Sequence, residues 1–538
     1  MINPNRQRQT VRLWHVATLG VILILAAYLR LANLPENPGW YTDEGTHLDI
    51  AQNLLRGRVQ YLAVNQSSLL FAKLPLFDAL LAALLSITGG GIGTLRAFTG
   101  LLGVTSVGLL YCVVHRIQGE VLLALLSALM YSIYPTAVLY SRFGFSYNLL
   151  TPLVLLTFWG LWEYLNAAPH DGRRRGWLAL VALAIGIGGV SDLWMFVLIA
   201  PLTLAVSTRD WRDLIWSLAL ALLPFGLYAA IMLIYVPQAF LPDLRFIFSR
   251  LSRLSPMAQL TTLALNYTIL VSRDHWTVLT LVGLSLLRPA RLLRLSLLLF
   301  LLPVFVLGRT AALYGLSAYY MIPLLPFVGL GTASAVKQGV PLIAQTIRSA
   351  LLSVLNSWRG LSRHPLWQCL QGKFLVAGAN LVLALLVATP FITSTLWTAK
   401  QVQGTLSTEI DPFLINPAHA RQAAEFVNSR TTANDLVIAS PSLAWLLHAN
   451  RADLQMSVAI TGSSTPDLPA GVPAERFAFD PHYTEAHLVI VDNFWRNWGV
   501  WNVTGASEMM ARLKTWPLVL HVGEIEVCCN PTRGNQAP

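Results

Sequence analysis

Two adjacent carboxylates, Asp43 and Glu44, sit in the stretch GWYTDEGTHLDIAQNLLRG (residues 39–57), directly after a long apolar run. Three kinds of chemistry suit them. They can cap a helix, with Thr42 or Asp43 accepting from first-turn amides and acids favoured by the macrodipole. They can mark an ion path beside a transmembrane bundle. Or one of them can take a proton from an acceptor hydroxyl while nearby cations stabilise a departing phosphate. Outside the membrane there is no ATP, so that third reading requires a lipid-borne activated group.

Group transfer also requires cations on the same side, and the sequence offers Lys73, Arg96, Arg142 and Arg309. Each has a plainer role open to it, snorkelling or orienting a helix end. Asp43 and His47 are four residues apart, a spacing that lets two side chains on a helix share a divalent metal ion, with Asp274 and His275 as further ligands from another loop. A solvated His47 on a polar face is the competing reading.

The elements that must position these groups follow from composition. The chain of 538 residues is 55% hydrophobic and 12% charged, with mean hydropathy +0.57, which defines a polytopic α-helical membrane protein. The net charge of +11 lies in short arginine tracts between apolar runs. That pattern fits positive-inside topology and excludes a nucleic-acid partner. Cys112, Cys369, Cys528 and Cys529 have no metal-knuckle spacing and support at most one disulfide.

Apolar runs able to cross about 30 Å of hydrocarbon need about 20 residues, and about 11 runs approach that length. They cover residues 13–32, which read as an uncleaved first span, then 94–115, 120–140, 147–166, 176–191, 193–207, 213–236, 275–288, 292–308, 317–336 and 374–394. The run 74–88 is short and contains Asp78. Placing it in the interface puts the basic tracts around Arg116, 172–176, 207–213, 288–294 and 337–373 on one side, the cytoplasm, and the C-terminus outside. The first outer loop then contains two surface helices. The first is amphipathic, with Leu48, Ala51, Leu54 and Leu55 at helical spacing. We divide the chain into a transmembrane domain, residues 1–400, and an extracytoplasmic α/β domain, residues 401–538, in which DLVIAS, EAHLVIVDN and WPLVLHVGEIEVCCN read as strands.

The order YTDEGTHLDIAQNLLRG, KLPLFDALLAALLSITGG, LRAFTGLLGV, YPTAVLYSRFGFSYNLLTPLVLLTF and YYMIPLLPFVGL resembles the C-type glycosyltransferases (GT-C) related to protein O-mannosyltransferases and lipid A aminoarabinose transferases. The resemblance implies inverting transfer of a sugar from a polyprenyl-phosphate donor to a lipid, glycan or protein acceptor, at the outer face of what would be a bacterial plasma membrane. It implies Asp43 as general base, Glu44 in support or holding the donor, and Lys73 on the donor phosphate; Arg142, Arg96 and Arg309, the cations already placed on that side, and Tyr320 are the further donor-side candidates. Three positions depart from the family pattern: Asn148 stands where many relatives have an acid, Tyr319-Tyr320 where they have Arg-Tyr, and Leu74 where they have proline. A transporter with an accessory outer domain is the alternative, and a surface-presenting binding protein a third.

Overall fold

The computed structural model describes residues 4–533 apart from 67–73, 169–170, 252–253, 312, 314, 359–373, 405–412, 501–502 and 504. Helix α1 (Pro4–Leu31) enters the bundle, followed by α2 (Thr42–Leu55), the small hairpin β1 (Gln60–Tyr61) and β2 (Val64–Asn65), and α3 (Pro75–Thr88). Next come α4 (Ile92–Gln118), α5 (Val121–Ile133), α6 (Pro135–Ser141), α7 (Tyr147–Asn166), α8 (Arg173–Ser191) and α9 (Ile199–Ser207). The bundle is completed by α10 (Trp211–Tyr235), α11 (Pro237–Leu251), α12 (Pro256–Arg273), α13 (His275–Ser285), α14 (Ala290–Gly308), α15 (Leu325–Ser334), α16 (Val340–Trp358) and a long helix Phe374–Gln403.

Six of the described helices are long and apolar enough to cross a membrane, or seven if α5 and α6 form one bent span. This is an integral membrane protein, but the expected count of about 11 spans is not reached by length and composition. Several expected spans are short or broken: residues 275–288 give only the 11-residue α13, and 193–207 become a 3-10 turn followed by α9. The two surface helices expected in the first loop are both present, as α2 and α3.

The bend between α5 and α6 is 63°. Its cause is Pro135, which has no N–H to donate to the carbonyl four residues back. Arg30 supplies the missing donors: Nη2 donates to the Tyr131 carbonyl at 3.0 Å and Nη1 to that of Ser132 at 2.9 Å. The charge near the end of α1 and the break in α5–α6 thus satisfy each other.

The basic tracts gather at one end of the bundle and are tied to one another there. Arg116 pairs with Glu163, Arg174 with Asp213, and Lys337 with Glu120. Gln118 donates to the Arg288 carbonyl and Arg291 to Asn166. The sheet domain contacts the other end. Strands β3 (Leu436–Ile438), β4 (Asn450–Ala452), β5 (Leu488–Val491), β6 (Leu518–Val522) and β7 (Ile525–Cys529) form one sheet in the order β4-β3-β5-β7-β6. The first three are parallel, and β7 and β6 continue the sheet antiparallel. Strands β3 and β5 are buried along their whole length, as central parallel strands covered on both faces must be. The sheet shares one apolar core with the first loop, in which Trp40, Leu48, Ala51, Phe77 and Leu81 join Val437, Ile438, Val489 and Ile490.

Candidate active site

Helix α2 begins after Tyr41, which has an extended backbone, so Asp43 is its second residue and Glu44 its third. Glu44 is fully buried. Its Oε2 accepts from the Tyr41 amide at 3.1 Å, the backward half of a capping box, and its Oε1 accepts from the Gly144 amide at 2.9 Å. Arg96, also fully buried, grips both oxygens, Nε to Oε1 at 2.7 Å and Nη2 to Oε2 at 2.6 Å. Capping is therefore carried by Glu44, and Asp43 is the part-exposed member of the pair.

Two of the expected donor-side cations face backbone oxygens. Arg96 also donates to the carbonyls of Leu34, Pro38 and Gly39. Arg142 donates to those of Leu29 and Asn37 at 3.1 and 2.8 Å, and to Asn33 at 3.4 Å. The segment between α1 and α2 is irregular, and its buried carbonyls need donors that no ladder supplies. Arginine, with five N–H groups in a fixed fork, meets several at once. Asn148 does the same for the next loop, its Nδ2 lying within 3.2 Å of the carbonyls of Tyr140, Phe143 and Phe145.

Around Asp43 lies an aromatic wall. Tyr41 meets Phe143 and Phe145 edge-on, Phe145 packs on Tyr319 at 5.2 Å, and Tyr147 contacts Tyr319 at 5.4 Å and Tyr320 at 5.5 Å. The Asp43 carboxylate is felt electrostatically at Tyr147 and Tyr319. The Tyr320 carbonyl accepts from the Trp194 indole at 3.0 Å, which fixes the 3-10 segment that carries it. Arg309 lies over the Phe305 ring at 5.8 Å, and its Nε is buried with no hydrogen-bond partner. Lys73 lies outside the described residues.

His47 turns toward α3, with its Nδ1 2.5 Å from Asp78 Oδ1 and its ring edge-on to Phe77. It is buried rather than solvated. Asp274 caps α13 through the Trp276 amide and accepts from the Tyr134 hydroxyl at 2.6 Å. Among the described residues no group of three His, Cys, Asp or Glu side chains has a metal-holding arrangement. Cys112, Cys528 and Cys529 are free thiols. Sequence reasoning missed Asp49, Asp78 and Arg451, all buried and charged. Asp78 carried the one available signal, an acid inside an apolar helix.

The bundle, the two surface helices beside Asp43 and the C-terminal sheet domain make up the GT-C fold, shared with ArnT and with an archaeal oligosaccharyltransferase. Residues 72–240 match the family model described as dolichyl-phosphate-mannose-protein mannosyltransferase. Among solved structures, the chain is similar to ArnT from Cupriavidus metallidurans in the apo state, with TM-score 0.63 and 16% identity over 98% of this chain and 99% of that one. It is also similar to the same protein bound to undecaprenyl phosphate, with TM-score 0.62 and 14% identity over 96% and 98% of the two chains. The apo oligosaccharyltransferase of Archaeoglobus fulgidus gives TM-score 0.56 and 11% identity over 91% of this chain and 71% of that one. No curated protein matches the chain in sequence at a significant level.

Proposed function

We propose that this protein is an inverting glycosyltransferase that moves a sugar from a polyprenyl-phosphate donor to an acceptor hydroxyl at the outer face of the membrane, with Asp43 as general base. The observation that carries this reading is the division of labour between neighbours: Glu44 is sealed into Arg96, while Asp43 stays part-exposed at the helix start among Tyr41, Tyr147 and Tyr319. The gathering of basic tracts at the far end of the bundle supports an outward Asp43 and an outward sheet domain. The donor-side ligand of a similar structure supports a lipid-phosphate leaving group, since one of the two ArnT structures holds undecaprenyl phosphate.

In the proposed step, an Asp43 oxygen takes the proton of the acceptor hydroxyl as the hydroxyl oxygen bonds to the anomeric carbon. The bond from that carbon to the phosphate oxygen breaks on the opposite face, and polyprenyl phosphate leaves with the electron pair. Arg309 is the phosphate partner in this reading, because among the described residues its Nε has no hydrogen-bond partner, whereas both Nη groups of Arg96 and of Arg142 are held by protein oxygens. Arg96 and Arg142 hold the loop that places Asp43.

The test is to identify by mass spectrometry a polyprenyl-phosphate sugar that co-purifies with the protein, then to follow its consumption in proteoliposomes. Asp43→Asn should lower transfer by about 10² to 10⁴, the usual contribution of a positioned base, with thermal stability kept. More than about a tenth of wild-type transfer in that variant would remove Asp43 from the role. Solute movement without consumption of any lipid-linked sugar would replace the reading with transport.

A further inference from the structure

In an open sheet with parallel strands, ligands ordinarily enter the crevice outside the carboxyl ends of those strands. Here the carboxyl ends of β3, β4 and β5 lead into Ser440, Asp453 and Asp492. Helix α2 lies over the first two of these ends. Gly45, two residues beyond Asp43, sits directly beneath the Pro441 carbonyl: a Cβ at this position would lie 1.7 Å from that oxygen. One turn further, Asp49 Oδ1 pairs with Arg451 Nε at 2.7 Å, both side chains being at least nine-tenths buried. Asp49 Oδ2 accepts from the Leu62 amide at 2.7 Å, which ties the hairpin to the same point. Before α2, Trp40 and Ile415 exchange both backbone hydrogen bonds, at 3.0 and 3.1 Å, and the Trp40 ring packs against Trp445.

We propose that the sheet domain is a clamp on α2, in which Pro441 and Arg451 act as positioning residues for Asp43 by fixing the helix at the end of its first turn and again one turn further on. The proposal rests on the reading of Asp43 as the base. It assigns the strand-end crevice to this helix rather than to an acceptor. Glycine at position 45 follows from the clamp: it weakens an isolated helix relative to alanine, yet no larger residue allows the 440–442 backbone to approach. Arginine at 451 meets a buried carboxylate at the side of its guanidinium and also donates to the Leu447 carbonyl at 2.8 Å, which anchors it within its own domain.

The experiment uses the full chain in lipid nanodiscs and reads three things for Gly45→Ala, Arg451→Gln and Arg451→Lys. These are amide hydrogen exchange over residues 42–55, binding of undecaprenyl phosphate, and turnover of the co-purifying lipid-linked sugar. For Gly45→Ala and Arg451→Gln we expect exchange in α2 to rise about tenfold or more while that of α4 and α7 is unchanged. Binding of undecaprenyl phosphate should stay within about twofold while turnover falls about 10- to 100-fold, the loss expected when a reacting group is misplaced by about 1 Å. Arg451→Lys, which keeps the charge, should recover part of both effects and serves if Gly45→Ala does not fold. Unchanged exchange in α2, or raised exchange with wild-type turnover, would overturn the clamp. Retained turnover in Asp43→Asn would instead remove the base, and the exchange data would still decide whether the helix is clamped.

Discussion

Arg96 meets Glu44 through two parallel hydrogen bonds of 2.7 and 2.6 Å across 52 residues of sequence, with neither side chain reaching solvent. A buried pair of this kind stabilises little relative to an apolar substitute, but breaking one side leaves an unpaired buried charge that costs about 3–5 kcal/mol. Glu44→Gln should therefore lower the unfolding temperature of the detergent-solubilised protein, where Asp43→Asn leaves it unchanged. Equal unfolding temperatures for the two variants would contradict the separate roles of the neighbours.

Arg142 and Arg309 should separate in the same way. Arg142→Ala removes donors from the buried carbonyls of Leu29 and Asn37, each unmet acceptor costing about 1–3 kcal/mol, and from the exposed Asn33 carbonyl. Its main effect should be lost stability. Arg309→Ala should leave the unfolding temperature near wild type and weaken undecaprenyl phosphate binding about tenfold or more, the scale of a charge-assisted hydrogen bond to phosphate. Titration of undecaprenyl phosphate against both variants checks this, and equal binding by wild type and Arg309→Ala would place the phosphate elsewhere.

Asn148 offers a sharper case, because relatives of the resembling family often have an acid in that region. Asn148→Asp would set an acceptor against the three carbonyls that Nδ2 now serves. We expect lost expression and a lower unfolding temperature rather than gained activity, with about 1–3 kcal/mol lost for each unmet group. A variant of wild-type stability would show that the 140–148 loop is held by other contacts.

Burial makes the sheet domain sensitive to pH. The Asp453 carboxyl is pushed up to about 7 and that of Asp492 to about 6, in both cases chiefly because burial disfavours the charged form. Asp453 caps the helix Leu454–Ala459 through Oδ1, while its Oδ2 has no hydrogen-bond partner. A carboxyl whose folded pKa lies above its unfolded value of 3.8 binds more protons folded than unfolded between the two. Its contribution is then fully present below about pH 4 and is lost as pH rises through about 7. Thermal unfolding should thus show the sheet domain losing stability from about pH 4 to 7. Asp453→Asn should flatten that slope, and an unchanged slope in this variant would exclude Asp453 as its source.

Much of this architecture is legible in the residues themselves, and the reasons for the remainder are local. The period of Leu48 and Ala51 defines the buried face of α2, and Pro75 marks the start of α3 as its first residue. The identity of Asp43 and Glu44 as a special pair is equally visible, but their separation into a part-exposed and a sealed carboxylate is not. That depends on Arg96 and Gly144, 52 and 100 positions away. The carbonyl partners of Arg96 and Arg142 are hidden for a related reason: an arginine after an apolar run reads as a phosphate ligand or an interfacial anchor, and nothing local reveals carbonyls brought to it by a distant loop. His47 illustrates the same limit. Its spacing from Asp43 suggests a shared ion, whereas the fold gives it to Asp78 on another helix. Span lengths are hardest to read where proline and 3-10 turns shorten helices that composition alone would extend, as in residues 193–207.

Arg30 and Pro135 also impose an order on biogenesis. The carbonyls that receive the Arg30 guanidinium lie 101 and 102 positions downstream, so they do not yet exist when α1 first reaches the bilayer. They become acceptors only once the chain has bent at the proline. Until then the first span carries a charge without a seat, and afterwards neither defect can be repaired alone: an unbroken α5 would strand the arginine, and an apolar residue 30 would strand the carbonyls.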